Sequence, residues 1–222
     1  VGKYTELVDS YKSVNEALIH AGIHNKTNVK IEHIDSEKFN KGVTNLDADG
    51  ILVPGGFGNR GIKGMLNVVK FAREKNIPYF GICLGMQVAV IEFARNVLKL
   101  DADSTEFRKN TQHPVIGLIT EWLGDDGIIQ YRSEESYKGG TMRLGSQVCF
   151  LKKNSKMAKL YKKVKICERH RHRYEFNGNY ESMFNKNGMA IVGKSEDETL
   201  VEAIEIKTVS YTHLRAHETP IN

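Results

Sequence analysis

The chain has 222 residues, 40% hydrophobic and 27% charged, which is ordinary usage for one soluble globular domain able to bury a sizeable core. No apolar run approaches the length of a membrane span, and the formal charge of +5 gathers in residues 152–165 and at Arg169, Arg171 and Arg173 without an aromatic platform or nucleic-acid motif beside it. That charge reads as a solvated face plus a ligand clamp, so neither membrane nor nucleic acid is expected as a partner.

Along the chain, Tyr11, Val14, Leu18 and Ala21 form an apolar stripe of helical period that stops at Gly22. Residues 29–34 read as a strand. Residues 50–53 form a short continuous apolar run ending in Pro54-Gly55-Gly56, the pattern of a buried parallel strand. Met65, Leu66, Val68, Val69 and Ala72 stripe a second helix, Pro78 punctuates, and residues 77–82 read as the next strand. Strands alternating with helices predict an α/β fold, a doubly wound, mostly parallel central sheet flanked by helices. In the second half, residues 115–120, 144–151, 189–193 and 200–206 are β-like, with Ser195-Glu196-Asp197-Glu198 as a hairpin turn, which predicts an antiparallel extension over one side of the core.

The segment carrying most chemistry is Gly81-Ile82-Cys83-Leu84-Gly85, where a strand ends at a cysteine and a helical pattern begins at once. This is the sequence of a nucleophile elbow, with glycines where strand and helix must pass closely, and with a thiol at a helix N-terminus that favours the thiolate. A bare G-x-C-x-G fits a buried structural cysteine equally well. Gly56-Phe57-Gly58-Asn59-Arg60-Gly61 satisfies the dinucleotide fingerprint G-x-G-x-x-G, but the acidic ribose partner expected about 20 residues on is missing, because the next strand ends at Cys83. Cys167, His170 and His172 could be read as a C-x-x-H-x-H cluster, but no fourth ligand stands nearby, so no metal is expected. His20, His24, His33 and His113 read as surface or satisfied residues. The three cysteines, Cys83, Cys149 and Cys167, are an odd, widely spaced set without a signal peptide ahead of them, which favours a reducing, cytoplasmic setting over a disulfide framework.

Gly81 to Gln87 and the apolar helix after it resemble the cysteine elbow of the class I (triad-type) glutamine amidotransferases, in detail that of the CTP synthase family. The likeness extends over Val1-Gly2-Lys3-Tyr4-Thr5-Glu6-Leu7, Tyr11-Lys12-Ser13-Val14, Leu52-Val53-Pro54-Gly55-Gly56-Phe57-Gly58, Ser104-Thr105-Glu106-Phe107, Gly139-Gly140-Thr141-Met142-Arg143-Leu144-Gly145 and Glu168-Arg169-His170-Arg171-His172-Arg173-Tyr174-Glu175, in that family's order and near its spacing. It implies a flavodoxin-like fold, Cys83 as nucleophile, and the backbone N–H groups of Gly56 and Leu84 as the oxyanion hole. It also implies a glutamine pocket in which Gln87 and Glu106 hold the α-amino end and side while Arg173 pairs with the α-carboxylate. Arginine suits that task because its planar fork grips carboxylate at two points. The implied partners are L-glutamine and a synthetase domain of the same polypeptide, within a homotetramer. No cofactor is implied for this domain; the full enzyme would use ATP, Mg²⁺ and GTP as effector, with residues 132–145 as a candidate lid.

The resemblance covers residues 1–206, an expected glutaminase domain clipped at both ends. The family's activating histidine and its orienting glutamate stand in a His-Pro-Glu segment after the strand ending near Ile206, and this chain has none. Residues 207–222 read as a foreign tail, in which His217 is followed directly by Glu218, breaking the spacing that would put both side chains on one face. The expectation is a catalytically impaired glutaminase. A different amidotransferase or cysteine hydrolase on the same fold, and a non-catalytic regulatory or binding module that kept the pocket and lost the base, remain as alternatives.

Overall fold

The computed structural model describes residues 1–7, 9–118, 121–123, 129–131, 143–206 and 211–214, with backbone alone for 121–123, 129–131 and 211–214. In chain order the elements are α1 (Lys12–His24), β1 (Ile51–Val53), α2 (Ile62–Lys75), β2 (Tyr79–Ile82), α3 (Leu84–Asn96), β3 (Ala102–Ser104), β4 (His113–Leu118), β5 (Glu121–Leu123), β6 (Ile129–Tyr131) and β7 (Arg143–Leu151). They continue with α4 (Lys156–Tyr161), β8 (Lys165–His172), β9 (Tyr174–Phe176), α5 (Glu181–Lys186), β10 (Met189–Ser195), β11 (Val201–Ile206) and β12 (Tyr211–Leu214).

One seven-stranded sheet runs in the order β1-β2-β12-β11-β10-β7-β8. β1, β2 and β12 are mutually parallel, whereas β11, β10, β7 and β8 join by antiparallel pairings, so the extension continues the sheet edgewise. Met65, Val68, Val69 and Ala72 of α2 recur at helical spacing and bury one face against the sheet. α3 is apolar all round and buried from Leu84 to Ala94, which makes it the central helix of the core. Consecutive residues of a strand face opposite ways, so Ile191 joins this core while Val192 joins a second cluster with Cys149, Met157 and Ile166 on the other face. A separate sheet, β3-β4-β9, packs near α3, where Phe184 bridges Phe93 and Phe176 at ring separations of 5.7 and 5.2 Å.

The α/β class, the α2 stripe, the strand before Cys83 and the hairpin at Ser195 agree with the sequence reading; Glu198 N–H donates to Ser195 O within that turn. Two local expectations do not. α1 continues past Gly22 to His24, with Gly22 buried because the returning chain at Thr27 and Val29 crosses where a side chain would stand. Residues 29–34 form no strand, because a strand needs a neighbour bonded along its length and among the described residues only the Gly2 N–H reaches this backbone, donating to Ile34 O at 3.0 Å. Between this segment and β1 lies a cavity of about 690 Å³, lined by Val29, Ile31, Ile51 and Leu52 among others. Residues 132–142, the greater part of the candidate lid, and 207–210 and 215–222 of the tail, with His217 and Glu218, lie outside the described residues. Tyr211–Leu214 pairs in the sheet between β2 and β11, with His213 in register opposite Gly81 and Ile204.

Candidate active site

β2 ends at Ile82, α3 begins at Leu84, and Cys83 between them adopts φ 55° and ψ −106°. A non-glycine residue there carries strain of about 1–3 kcal/mol, which persists only where surrounding structure imposes it. Two contacts impose it. The Tyr79 hydroxyl donates to Gly85 O at 3.0 Å, tying the first turn of α3 to β2. A Cβ on Gly85 would lie 2.1 Å from Val53 O, so only glycine lets α3 start this close to β1. The Gln87 N–H donates to Cys83 O at 3.2 Å, and the amides ahead of it in the first turn surround the thiol end with partial positive charge. Cys83 is 3% exposed, because α3 is covered on all sides, whereas a nucleophile elbow ordinarily presents its nucleophile openly.

The loop after β1 leans on this elbow. Gly56 is closely packed: a Cβ there would lie 3.3 Å from Leu84 Cδ2 and 3.4 Å from Lys3 Cδ. Its neighbours are clamped by side chains from distant segments. The Gly58 N–H donates to Glu106 Oε1 at 2.8 Å, the Phe57 N–H to the Tyr4 hydroxyl at 3.5 Å, and the Lys3 ammonium to Phe57 O at 3.1 Å and also to Gly58 O. Burial lowers the Lys3 pKa to about 8, against an upward pull from Glu106. Sequence reasoning assigned no site role to Lys3 or Tyr4, and read Tyr11 as part of the apolar stripe of the first helix; the signal was that all three stand in segments, residues 1–7 and 11–14, that share the family likeness.

Gln87 and the segment bearing Arg173 meet, since Gln87 Nε2 donates to Tyr174 O at 2.9 Å across the gap from α3 to β9. Arg173 is half-buried in the single residue between β8 and β9. Glu106, read from resemblance as a substrate contact, is engaged with the Gly58 amide here. The six residues therefore fall into two connected groups, Gly56, Leu84 and Glu106 with the loop, and Gln87 and Arg173 with β9, joined through α3 and Cys83.

The large cavity beside β1 is distinct from this site, for Cys83, Gln87, Glu106 and Arg173 are absent from its lining. On β8, Glu168, His170 and His172 are buried while Cys167 points outward, so the residues of the C-x-x-H-x-H reading do not converge. His170 instead faces Glu202 Oε2 at 2.7 Å and Glu168 O at 2.8 Å, and Arg143 donates to the other Glu202 oxygen. This buried network joins β7, β8 and β11, and was not legible locally because its members lie far apart in the chain. Burial, then the Glu202 carboxylate, push the Cys149 thiol up to about 12.

The family model of class I glutamine amidotransferases matches residues 6–212. The glutaminase domain of CTP synthase from Trypanosoma brucei, solved with bound acivicin, is 37% identical, with a TM-score of 0.83 over 97% of this chain and 83% of that one. A glutamine amidotransferase from Thermotoga maritima (12% identity, TM-score 0.56, 90% of this chain and 69% of that one) shares the fold. So does one from Methylobacillus flagellatus (10% identity, TM-score 0.55, 92% of this chain and 65% of that one). An elbow cysteine at a helix N-terminus, a clamped glycine loop beside it and a family match over nearly the whole length place this chain in the class I glutamine amidotransferases, as a domain of the CTP synthase type.

Proposed function

We propose that the chain is the glutaminase part of a glutamine-hydrolysing CTP synthase, and that Cys83 is its nucleophile. The observation that carries this is the strained Cys83 at the start of α3 with the Gly56 loop against Leu84. The Cys83 thiolate would attack the side-chain amide carbon of glutamine, with the oxyanion held by the Gly56 and Leu84 N–H groups. Ammonia would leave after protonation, and water would then cleave the γ-glutamyl thioester to glutamate and free thiol. Gln87 and Glu106 would hold the α-amino end and side of the pocket, and Arg173 the α-carboxylate. Substrate ammonium arriving at Glu106 would compete with the Gly58 amide for the same carboxylate. Ammonia would serve amination of 4-phosphorylated UTP in an ATP- and Mg²⁺-dependent synthetase domain of the same cytoplasmic polypeptide, with GTP as effector and a homotetrameric assembly.

Without the family's His-Pro-Glu segment, turnover by this chain should be about 10²–10⁴-fold below that of a version carrying it after Ile206, the usual worth of general acid–base help. One observation favours a second reading, in which His213 replaces the missing base: the backbone of β12 pairs with β2 in a register that sets residue 213 opposite Gly81, two residues before the nucleophile. Both readings predict that acivicin, a glutamine analogue, labels Cys83 in preference to Cys149 and Cys167, as peptide mapping would report. Even labelling of the three thiols would refute the assignment of Cys83. Ammonia release at a rate matching the restored version, abolished by His213→Ala, would establish the second reading over impairment.

A further inference from the structure

We propose that Lys3 is a positioning residue for the oxyanion hole, its buried ammonium fixing the Phe57 and Gly58 carbonyls so that the Gly56 N–H is presented to the Cys83 elbow. The inference rests on the acyl-transfer reading of Cys83 and concerns a residue that contacts neither substrate nor thiol. Lys3 is 2% exposed, and burying an ammonium is costly unless its protons are bonded. Among the described residues it forms no ion pair; its partners are two consecutive carbonyls of the loop. A glycine-flanked loop is free to turn its peptide planes, so its orientation must be set from outside.

The structure supplies that setting from three sides. Lys3 takes the carbonyls, Glu106 takes the Gly58 N–H, and the Tyr4 hydroxyl takes the Phe57 N–H. Lys3 and Tyr4 are themselves anchored, because both backbone N–H groups donate to the Tyr11 hydroxyl, at 3.0 and 3.2 Å. The Lys3 stem also packs against Gly56 together with Leu84, each within 3.4 Å of where a Cβ would stand, so the residue that holds the carbonyls also limits where Gly56 can move. Oxyanion donors act through preorganisation, and a displacement of about 1 Å can cost a hundredfold in rate.

The test compares two thiol reagents on Cys83. The glutamine-shaped chloroketone 2-amino-4-oxo-5-chloropentanoate places its ketone oxygen in the oxyanion hole while the thiolate displaces chloride and forms a C–S bond. Iodoacetamide forms the same bond, with loss of iodide, without using the hole. Lys3→Met should slow chloroketone labelling about ten- to a hundredfold while changing iodoacetamide labelling about twofold at most, and Lys3→Arg should restore most of the loss. A second arm needs no substitution. The charged and titratable groups facing Lys3 are Glu106, which raises its pKa, Arg60, which lowers it, and the Tyr4 and Tyr11 hydroxyls; burial dominates and sets it at about 8. The ratio of chloroketone to iodoacetamide rates in the unsubstituted chain should therefore fall as pH rises through about 8. Equal chloroketone rates for Lys3→Met and the parent would overturn the proposal, and if that variant does not fold, a ratio flat across the same pH range overturns it. Failure of the chloroketone to prefer Cys83 in the parent would instead remove the acyl-transfer reading beneath it.

Discussion

Replacing Gly85 by alanine separates the packing of the elbow from ordinary helix propensity, because the two act in opposite directions. Alanine in a helix is favoured over glycine by up to about 1 kcal/mol, so propensity alone makes Gly85→Ala stabilising. In this structure the new methyl would lie 2.1 Å from Val53 O, where ordinary contact begins at 3.4 Å, so α3 and β1 must part by about 1.3 Å, the difference of the two distances. The obstructing atom is backbone at the end of β1, in register with Gly81 of β2, and no rotamer change relieves it. Overpacking of this kind costs about 1–3 kcal/mol, and the upper end applies because backbone obstructs, leaving a net loss of up to about 2 kcal/mol and a Tm lower by up to about 8 °C for a chain of this size. The displaced turn begins one residue after Cys83, so labelling of Cys83 by acivicin should fall about a hundredfold. Gly117, in β4, has nothing within 4 Å of the place a methyl would occupy, and Gly117→Ala serves as control, expected within about 0.5 kcal/mol of the parent. Denaturant unfolding and peptide mapping would measure both. A Gly85→Ala protein that unfolds at or above the parent midpoint and labels at the parent rate would refute the close-approach argument.

Glu92 is 1% exposed within α3 and takes Arg73 Nε and Nη2 at 2.8 to 3.1 Å, so Glu92→Ala should lower unfolding free energy by about 3–5 kcal/mol, while Arg73→Met with Glu92→Leu should recover most of it, as denaturant melts would show. Cys149, buried and pushed up to about 12, should resist iodoacetamide at pH 8 in the folded chain and react on unfolding, whereas exposed Cys167 should react in both states; pulse alkylation read by mass spectrometry would check this.

What the sequence determined by itself is what local spacing encodes. The period of Met65, Val68, Val69 and Ala72 specifies a helix face, and Ser195 to Glu198 between two apolar runs specifies a hairpin. Gly81-Ile82-Cys83-Leu84-Gly85 specifies the elbow, since strand, strained turn and helix are contiguous there. Tertiary structure decided whatever depends on distant partners. Residues 29–34 have strand composition, but among the described residues only Gly2 bonds to them, at Ile34 O, and so they form no strand. Glu106 reaches the Gly58 amide across 48 positions and Lys3 reaches Phe57 across 54, so neither role leaves a periodic trace. The two-residue spacing of His170 and His172 suits one face of a strand, but only folding buried Glu168 beside them, supplied Glu202 and Arg143 as partners and turned Cys167 away. The physical reason is common to all of these: backbone periodicity records which way a side chain points, whereas a buried charge is stabilised by whichever groups the fold brings within hydrogen-bonding distance.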